Sequence, residues 1–297
     1  MIRLLTFAAF ALIPPHYLDS VVAIGKNVPV MLNGAPVFEN GTIKFQWEPI
    51  ASGFLYGSPT GEKNNDGKPL YRVFLVTNRH VVQGLPELKL RFNPKEAKPA
   101  TEYSVPLSDA KGRPTWFTPP GSQFDVAVNR INMSVLRNDG IKAEFIEGDE
   151  NAADLAKAKD LGVSEGDGVF VLGFPLQVVG GVRNFVVVRQ GVIARIGDAL
   201  DGYNKTFLVD TFIFPGNSGG PVILRPEMVS ITGTKSHQNA LLIGVVNSFQ
   251  TYQDIAVSQQ TGRPRIIFEE NAGLANVVPV DQIIAAIAEA GKPETTH

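Results

Sequence analysis

Apolar residues along the chain fall in short β-branched or aromatic runs, each cut off within a few residues by Gly, Pro, Asn or Asp. Val21–Ile24, Val73–Val76, Val169–Leu172, Phe185–Val188 and Leu241–Val246 are of this kind. Runs of that length between turn formers predict buried strands, and their number predicts an all-β molecule, either a sandwich or a pair of barrels. Helical spacing shows in two places. In Glu150–Leu161, Ala153, Leu155 and Ala156 sit amid charges; from Asp281 onward, Ile283, Ile284, Ile287 and Ala288 follow a helical period, with Asp281 as the expected N-cap. Residues 131–160 lose strand character and gain charge, which predicts a connection between two β-rich halves. No repeat of 20–50 residues is present.

Composition narrows the chemistry. The 297 residues contain no cysteine, which excludes a thiol nucleophile, a thiolate metal site and any disulfide framework. Only four histidines are available, His16, His80, His237 and His297, so a metal centre built on several imidazoles has little to draw on. A net charge of -2 gives no general attraction to nucleic acid or to an anionic membrane. The basic cluster Lys89, Arg91, Lys95 and Lys98 is interleaved with Glu87 and Glu96 and reads as a solvated face. Neither a P-loop nor a strand-linked G-x-G-x-x-G occurs. The apolar stretch Leu4–Ile13 is too short to cross a bilayer, which takes about 20 residues. It matches the first two parts of a secretory signal but lacks a small-residue cleavage pattern, so residues 1–16 are expected to form an arm or a weak signal-like segment. A cytoplasmic protein is the expectation, with export as the alternative.

One segment stands out as a place for chemistry. In Pro215-Gly216-Asn217-Ser218-Gly219-Gly220-Pro221 a serine lies between glycines, directly before the apolar run Val222–Leu224. Glycines on both sides let the backbone take tight conformations in which main-chain N–H groups converge beside the serine oxygen. The same composition also suits a plain Gly-rich turn. A nucleophilic serine needs a base, and the base an orienting group. Among the histidines only His80 closes an apolar run, in Leu75-Val76-Thr77-Asn78-Arg79-His80, where a strand end can present an imidazole at a cleft. A half-buried strand-end histidine is the other reading. Asp125 in Phe124-Asp125-Val126-Ala127-Val128 is a carboxylate among apolar residues, costly to bury unless paired. It serves equally as a turn cap after Gly121-Ser122.

Taken together, Thr77-Asn78-Arg79-His80-Val81, Asp125-Val126-Ala127-Val128 and Gly216-Asn217-Ser218-Gly219-Gly220-Pro221, in the order His, Asp, Ser, resemble the trypsin-like (chymotrypsin-fold) serine peptidases, and within them the bacterial, HtrA-like branch. The separations of 45 (125 − 80) and 93 (218 − 125) residues suit two successive barrels with a site between them. Ala51-Ser52-Gly53-Phe54-Leu55 ahead of the His strand, and Gly166–Val169 with Gly173-Phe174-Pro175 in the second half, extend the likeness over about residues 17–290. The resemblance implies two six-stranded antiparallel β-barrels with a C-terminal helix. The first barrel is expected at about 17–135, a connection at 136–160, the second barrel at 161–280 and the helix at 281–291. Fewer residues follow position 250 than an appended PDZ domain would need, so none is expected.

It also implies roles. His80 is the general base, Asp125 its orienting carboxylate, Ser218 the nucleophile, and the N–H groups of Gly216 and Ser218 the oxyanion hole, with no cofactor and no metal. Asn217 stands where the digestive branch carries an Asp that pairs with a freed N-terminus, so activation by propeptide cleavage is not expected. Phe212, six residues before Ser218, takes the pocket-floor position, where it offers no carboxylate for a Lys or Arg side chain. Asn247 and Ser248 belong to the edge that pairs with extended substrate, and Phe249 narrows the pocket. These features imply an endopeptidase acting on proteins or peptides, preferring a small or medium apolar residue before the scissile bond. The competing readings are a catalytically silent peptide-binding module on the same fold and a non-proteolytic esterase. Oligomeric state is not legible.

Overall fold

The computed structural model describes residues 12–121, 123–227 and 231–292. Most of the apolar stretch Leu4–Ile13 lies outside them; its last residue, Ile13, is buried. In chain order, α1 (Pro15–Ser20) leads into β1 (Val21–Pro29) and two small hairpins, β2 (Met31–Leu32) with β3 (Ala35–Pro36) and β4 (Phe38–Glu39) with β5 (Thr42–Ile43). There follow β6 (Phe45–Lys63), β7 (Pro69–Thr77), α2 (Arg79–Val82), β8 (Glu87–Phe92), β9 (Thr101–Pro106), β10 (Trp116–Phe117) and β11 (Ala127–Arg130). The connection carries α3 (Met133–Asn138), β12 (Ile146–Glu147) and α4 (Leu155–Leu161). The second half holds β13 (Gly168–Gly173), β14 (Val187–Arg195), α5 (Gly197–Leu200), β15 (Phe207–Asp210), β16 (Pro221–Leu224), β17 (Leu241–Val257), β18 (Pro264–Pro279) and α6 (Val280–Ala290).

The second half is a closed antiparallel barrel of six strands, ordered β13-β14-β15-β18-β17-β16, as the resemblance implied. The first half is a half-barrel of eight strands, ordered β10-β11-β7-β6-β1-β8-β9, with β12 added parallel to β6. Its ends β9 and β10 are joined by the turn through residues 107–115, tied by a single Ser108–Pro114 bridge, and this turn stands where a closing ladder would be. The all-β, two-barrel, chymotrypsin-like architecture with a C-terminal helix therefore holds, with the first barrel open and richer in strands than expected.

Each half buries its own alternating face. Leu55, Leu75, Leu88 and Leu90 centre the first core, and Val169, Val171, Val209 and Val277 the second. A third cluster joins them, with Phe54, Phe74 and Val76 from the first half meeting Phe170, Leu172, Phe174 and Ile283 from the second. Burying a side chain of this size stabilises by about 1.5–3 kcal/mol, so several across one seam hold the halves in fixed relation.

The helices settle differently from their sequence pattern in one instructive respect. Helix α6 starts at Val280, and Asp281 caps another helix: its Oδ2 accepts from the Leu155 N–H at the start of α4 (2.9 Å). Asp154 caps α4 locally through Lys157 N–H (2.8 Å), while Asn151–Ala153 are held on β17 through Leu242 and so stay out of the helix. Beyond the barrel, β17 and β18 run on as a hairpin whose Tyr252, Ile255, Ile266 and Phe268 are exposed.

Candidate active site

Strand β7 ends at Thr77, and His80 sits in the single turn of α2 just beyond it, one step past the strand end that the sequence suggested. Asp125 lies two residues before β11, which pairs with β7 through Ala127 and Thr77. Both side chains therefore leave the sheet at the same end of adjacent strands. Asp125 Oδ2 meets His80 Nδ1 at 2.5 Å, and Asp125 Oδ1 accepts the His80 backbone N–H at 2.9 Å. The buried Asn78 fixes the second strand to the first, its amide donating to the Asp125 carbonyl at 2.7 Å. Burial alone would raise the Asp125 carboxyl; the His80 ring, its backbone N–H and the Arg79 charge outweigh that and hold it below the usual carboxylate range. The carboxylate is 23% exposed and the imidazole 53%, so the pair has one face on the protein and one on solvent.

Ser218 is placed by a turn that two glycines permit. Gly216 (φ +98°) and Gly219 (φ +81°) occupy the left-handed region, and a Cβ would overlap the Phe174 carbonyl at the first and the Ser52 carbonyl and Thr77 hydroxyl at the second. The turn thus lies flush on the strand end that carries His80. Asn217, 1% exposed, closes it from within, its Oδ1 accepting from Phe214 N–H (3.0 Å) and its own N–H donating to Phe214 carbonyl (2.9 Å). Among the described residues, the N–H groups of Gly216 and Ser218 donate to no protein acceptor. Two unspent donors on either side of Asn217 in one turn are available to an oxyanion.

Ser52, fully buried on β6, holds this turn from the other barrel. Its Oγ donates to the Gly216 carbonyl (2.6 Å) and accepts from Phe174 N–H (2.8 Å); its N–H donates to the Ser218 carbonyl (3.0 Å), and its carbonyl accepts from Thr77 Oγ1 (2.9 Å). On the far side Leu176 N–H donates to the Pro215 carbonyl at 2.7 Å. Among the described residues neither Ser218 Oγ nor His80 Nε2 makes a hydrogen bond, so the edge between them is open in the unliganded chain. Such edges commonly tighten only when substrate binds.

The remaining sequence-selected residues take separate places. Phe212 is 54% exposed, and its ring lies over Gly273 of β18. Phe249 is partly buried against the second core, opposite Ala275. Asn247 is the bulged residue between Val246 and Ser248, and the Ser248 Oγ accepts from Asn276 (3.0 Å). From Asn247 onward β17 pairs with β18 on one edge and, among the described residues, with no strand on the other.

A family model of the trypsin-like peptidase domain matches residues 51–227, which takes in the His80 strand, Asp125 and the Ser218 turn. The chain belongs to this family. No curated protein matches it. Among solved structures, the MamO protease domain from Magnetospirillum magneticum in its apo form is 16% identical, with 91% of this chain and 96% of that chain covered and a TM-score of 0.41.

Two residues of this trypsin-like peptidase domain support the site from within motifs that point elsewhere. Ser52 and Asn78 sit in the motifs Ala51–Leu55 and Thr77–Val81, but nothing in a linear pattern tells that one hydroxyl of the first barrel ties two loops of the second, through the Gly216 carbonyl and the Phe174 N–H. Ser52→Ala would leave the buried Gly216 carbonyl and Phe174 N–H without partners. The expected outcome is a stability loss of about 1–3 kcal/mol in urea unfolding. A fall in kcat of roughly 10- to 100-fold with a smaller change in KM should accompany it, because the turn loses its placement rather than its groups.

Proposed function

We propose that this peptidase domain is a serine endopeptidase working through an acyl-enzyme. His80 Nε2 takes the proton of Ser218 Oγ as that oxygen attacks the scissile carbonyl, and returns it to the leaving amine; a second cycle with water releases the acyl group. Asp125 holds the proton of His80 on Nδ1, leaving Nε2 as the acceptor, and stabilises the imidazolium. The N–H groups of Gly216 and Ser218 take the oxyanion. The free edge of β17 from Asn247 to Phe249 offers main-chain hydrogen bonds to an extended peptide.

The observation that carries this reading is the Asp125–His80 pair placed at one end of β7, against which the Ser218 turn rests with two unspent N–H groups. Phe212 supplies no carboxylate, so a Lys or Arg before the scissile bond is disfavoured. A fluorophosphonate probe tests the reading directly: covalent labelling is expected at Ser218 and at no residue of the Ser218→Ala variant. The open edge between His80 and Ser218 favours one other reading, a silent peptide-binding module, which the same probe would reveal by failing to label. Comparing turnover of matched peptide and ester substrates separates a peptidase from an esterase.

A further inference from the structure

Strand β14 carries Arg189 on the inside of the second barrel. Arg189 pairs with Val171 across an antiparallel ladder, so the two side chains share a face, and Val171 belongs to the buried second core. The guanidinium lies 5.0 Å from the centre of the Phe214 ring, and its Nε is buried without a hydrogen-bond partner. Among the described residues Arg189 forms neither a hydrogen bond nor an ion pair. Just beyond it, the Gln190 carbonyl accepts from Thr211 Oγ1 (3.4 Å), which ties β14 to the segment 211–214 that runs into the nucleophile turn. Phe214 itself belongs to that turn, bonded in both directions to Asn217, the neighbour of Ser218.

A half-buried guanidinium with only an aromatic face to offset its lost hydration is an incomplete arrangement, because burying a cation is costly until an anion joins it. The planar fork of Arg fits a carboxylate in two parallel hydrogen bonds. Phe214 is bonded to Asn217, the neighbour of Ser218, so a substrate with its carbonyl at Ser218 would present a side chain toward the Arg189–Phe214 pair. We infer that Arg189 forms the inner end of the subsite for the residue before the scissile bond, and that this residue is acidic, Glu or Asp. The inference rests on the serine peptidase reading above. It replaces the small apolar side chain that Phe212 and Phe249 alone suggested.

Four otherwise identical peptidyl diphenyl phosphonates, with Glu, Gln, Val or Arg in the last position, test it through the rate at which each inactivates the protein by forming the Ser218 Oγ–phosphorus bond and expelling phenoxide. The Glu reagent is expected to exceed Gln by at least about tenfold at low salt, the value of one charge-assisted contact. The advantage should shrink as ionic strength rises. In Arg189→Gln the Glu-to-Gln ratio should collapse toward one, and Arg189→Lys should retain part of it, with thermal unfolding used to check that both variants fold. Equal or faster reaction of Gln or Val with the native protein overturns the inference and leaves the peptidase reading standing. So does a ratio that survives in Arg189→Gln, or inactivation by none of the four while fluorophosphonate still labels Ser218. Loss of fluorophosphonate labelling as well overturns both.

Discussion

Ser218→Ala is expected to lower kcat by about 10⁶-fold while leaving the protein folded, since removing the nucleophile of a Ser-His-Asp set costs about as much as removing the whole set. Ser218 Oγ makes no hydrogen bond among the described residues, and the turn is held by the backbone of Gly216 and Ser218, by Asn217 and by Ser52, none of which uses that oxygen. The variant should therefore melt within about a degree of the native protein, because a half-buried hydroxyl without hydrogen-bond partners contributes little to stability. Turnover of a chromogenic peptide at saturating concentration, together with a thermal scan, checks both halves of the statement. Residual activity within tenfold of the native protein would remove Ser218 from the mechanism.

Asp125→Asn should cost about 10⁴-fold in kcat. The amide keeps an oxygen for the His80 backbone N–H, yet its NH₂ would face His80 Nδ1 and favour the tautomer that carries its proton on Nε2, where it can no longer accept one from Ser218. The same carboxylate makes a separate pH prediction. Its folded-state value lies below the ordinary one, so the stability it contributes is fully present above about pH 4, the unfolded value, and is lost as pH falls through the lower folded value. The difference in melting temperature between the native protein and Asp125→Asn is expected to be constant near neutrality and to close only in strong acid. A stability difference that vanished already at pH 6 would contradict the pairing.

Much of this architecture was readable from short-range pattern. The runs Val73–Val76, Val169–Leu172 and Leu241–Val246 became strands β7, β13 and β17 because each is apolar on both faces and bounded by turn formers. What escaped was the support that one residue lends a distant one without a motif of its own. Asp281 has every local mark of an N-cap for its own helix, but the first turn of α4 packs against it and takes the carboxylate instead. The first barrel stays open because its end strands are only six and two residues long and are joined by a tight turn, which no count of strands could anticipate. His80 and Asp125 were found through their neighbours in sequence; Ser52 and Arg189 were not, since a buried hydroxyl and an inward-facing cation acquire meaning only from the loops brought to them.

The hydrogen bonds of Ser52 have one further consequence. By sequence the nucleophile turn belongs to the second barrel, yet its carbonyls at Gly216 and Ser218 are held by the first. On the proposed mechanism, therefore, neither half alone holds the placed turn together with its base, since Ser52 and His80 come from the first half and Ser218 from the second. On that mechanism competence comes only when the halves dock along the Phe54–Phe170 seam, so a chain cannot cut itself before its own two halves have met.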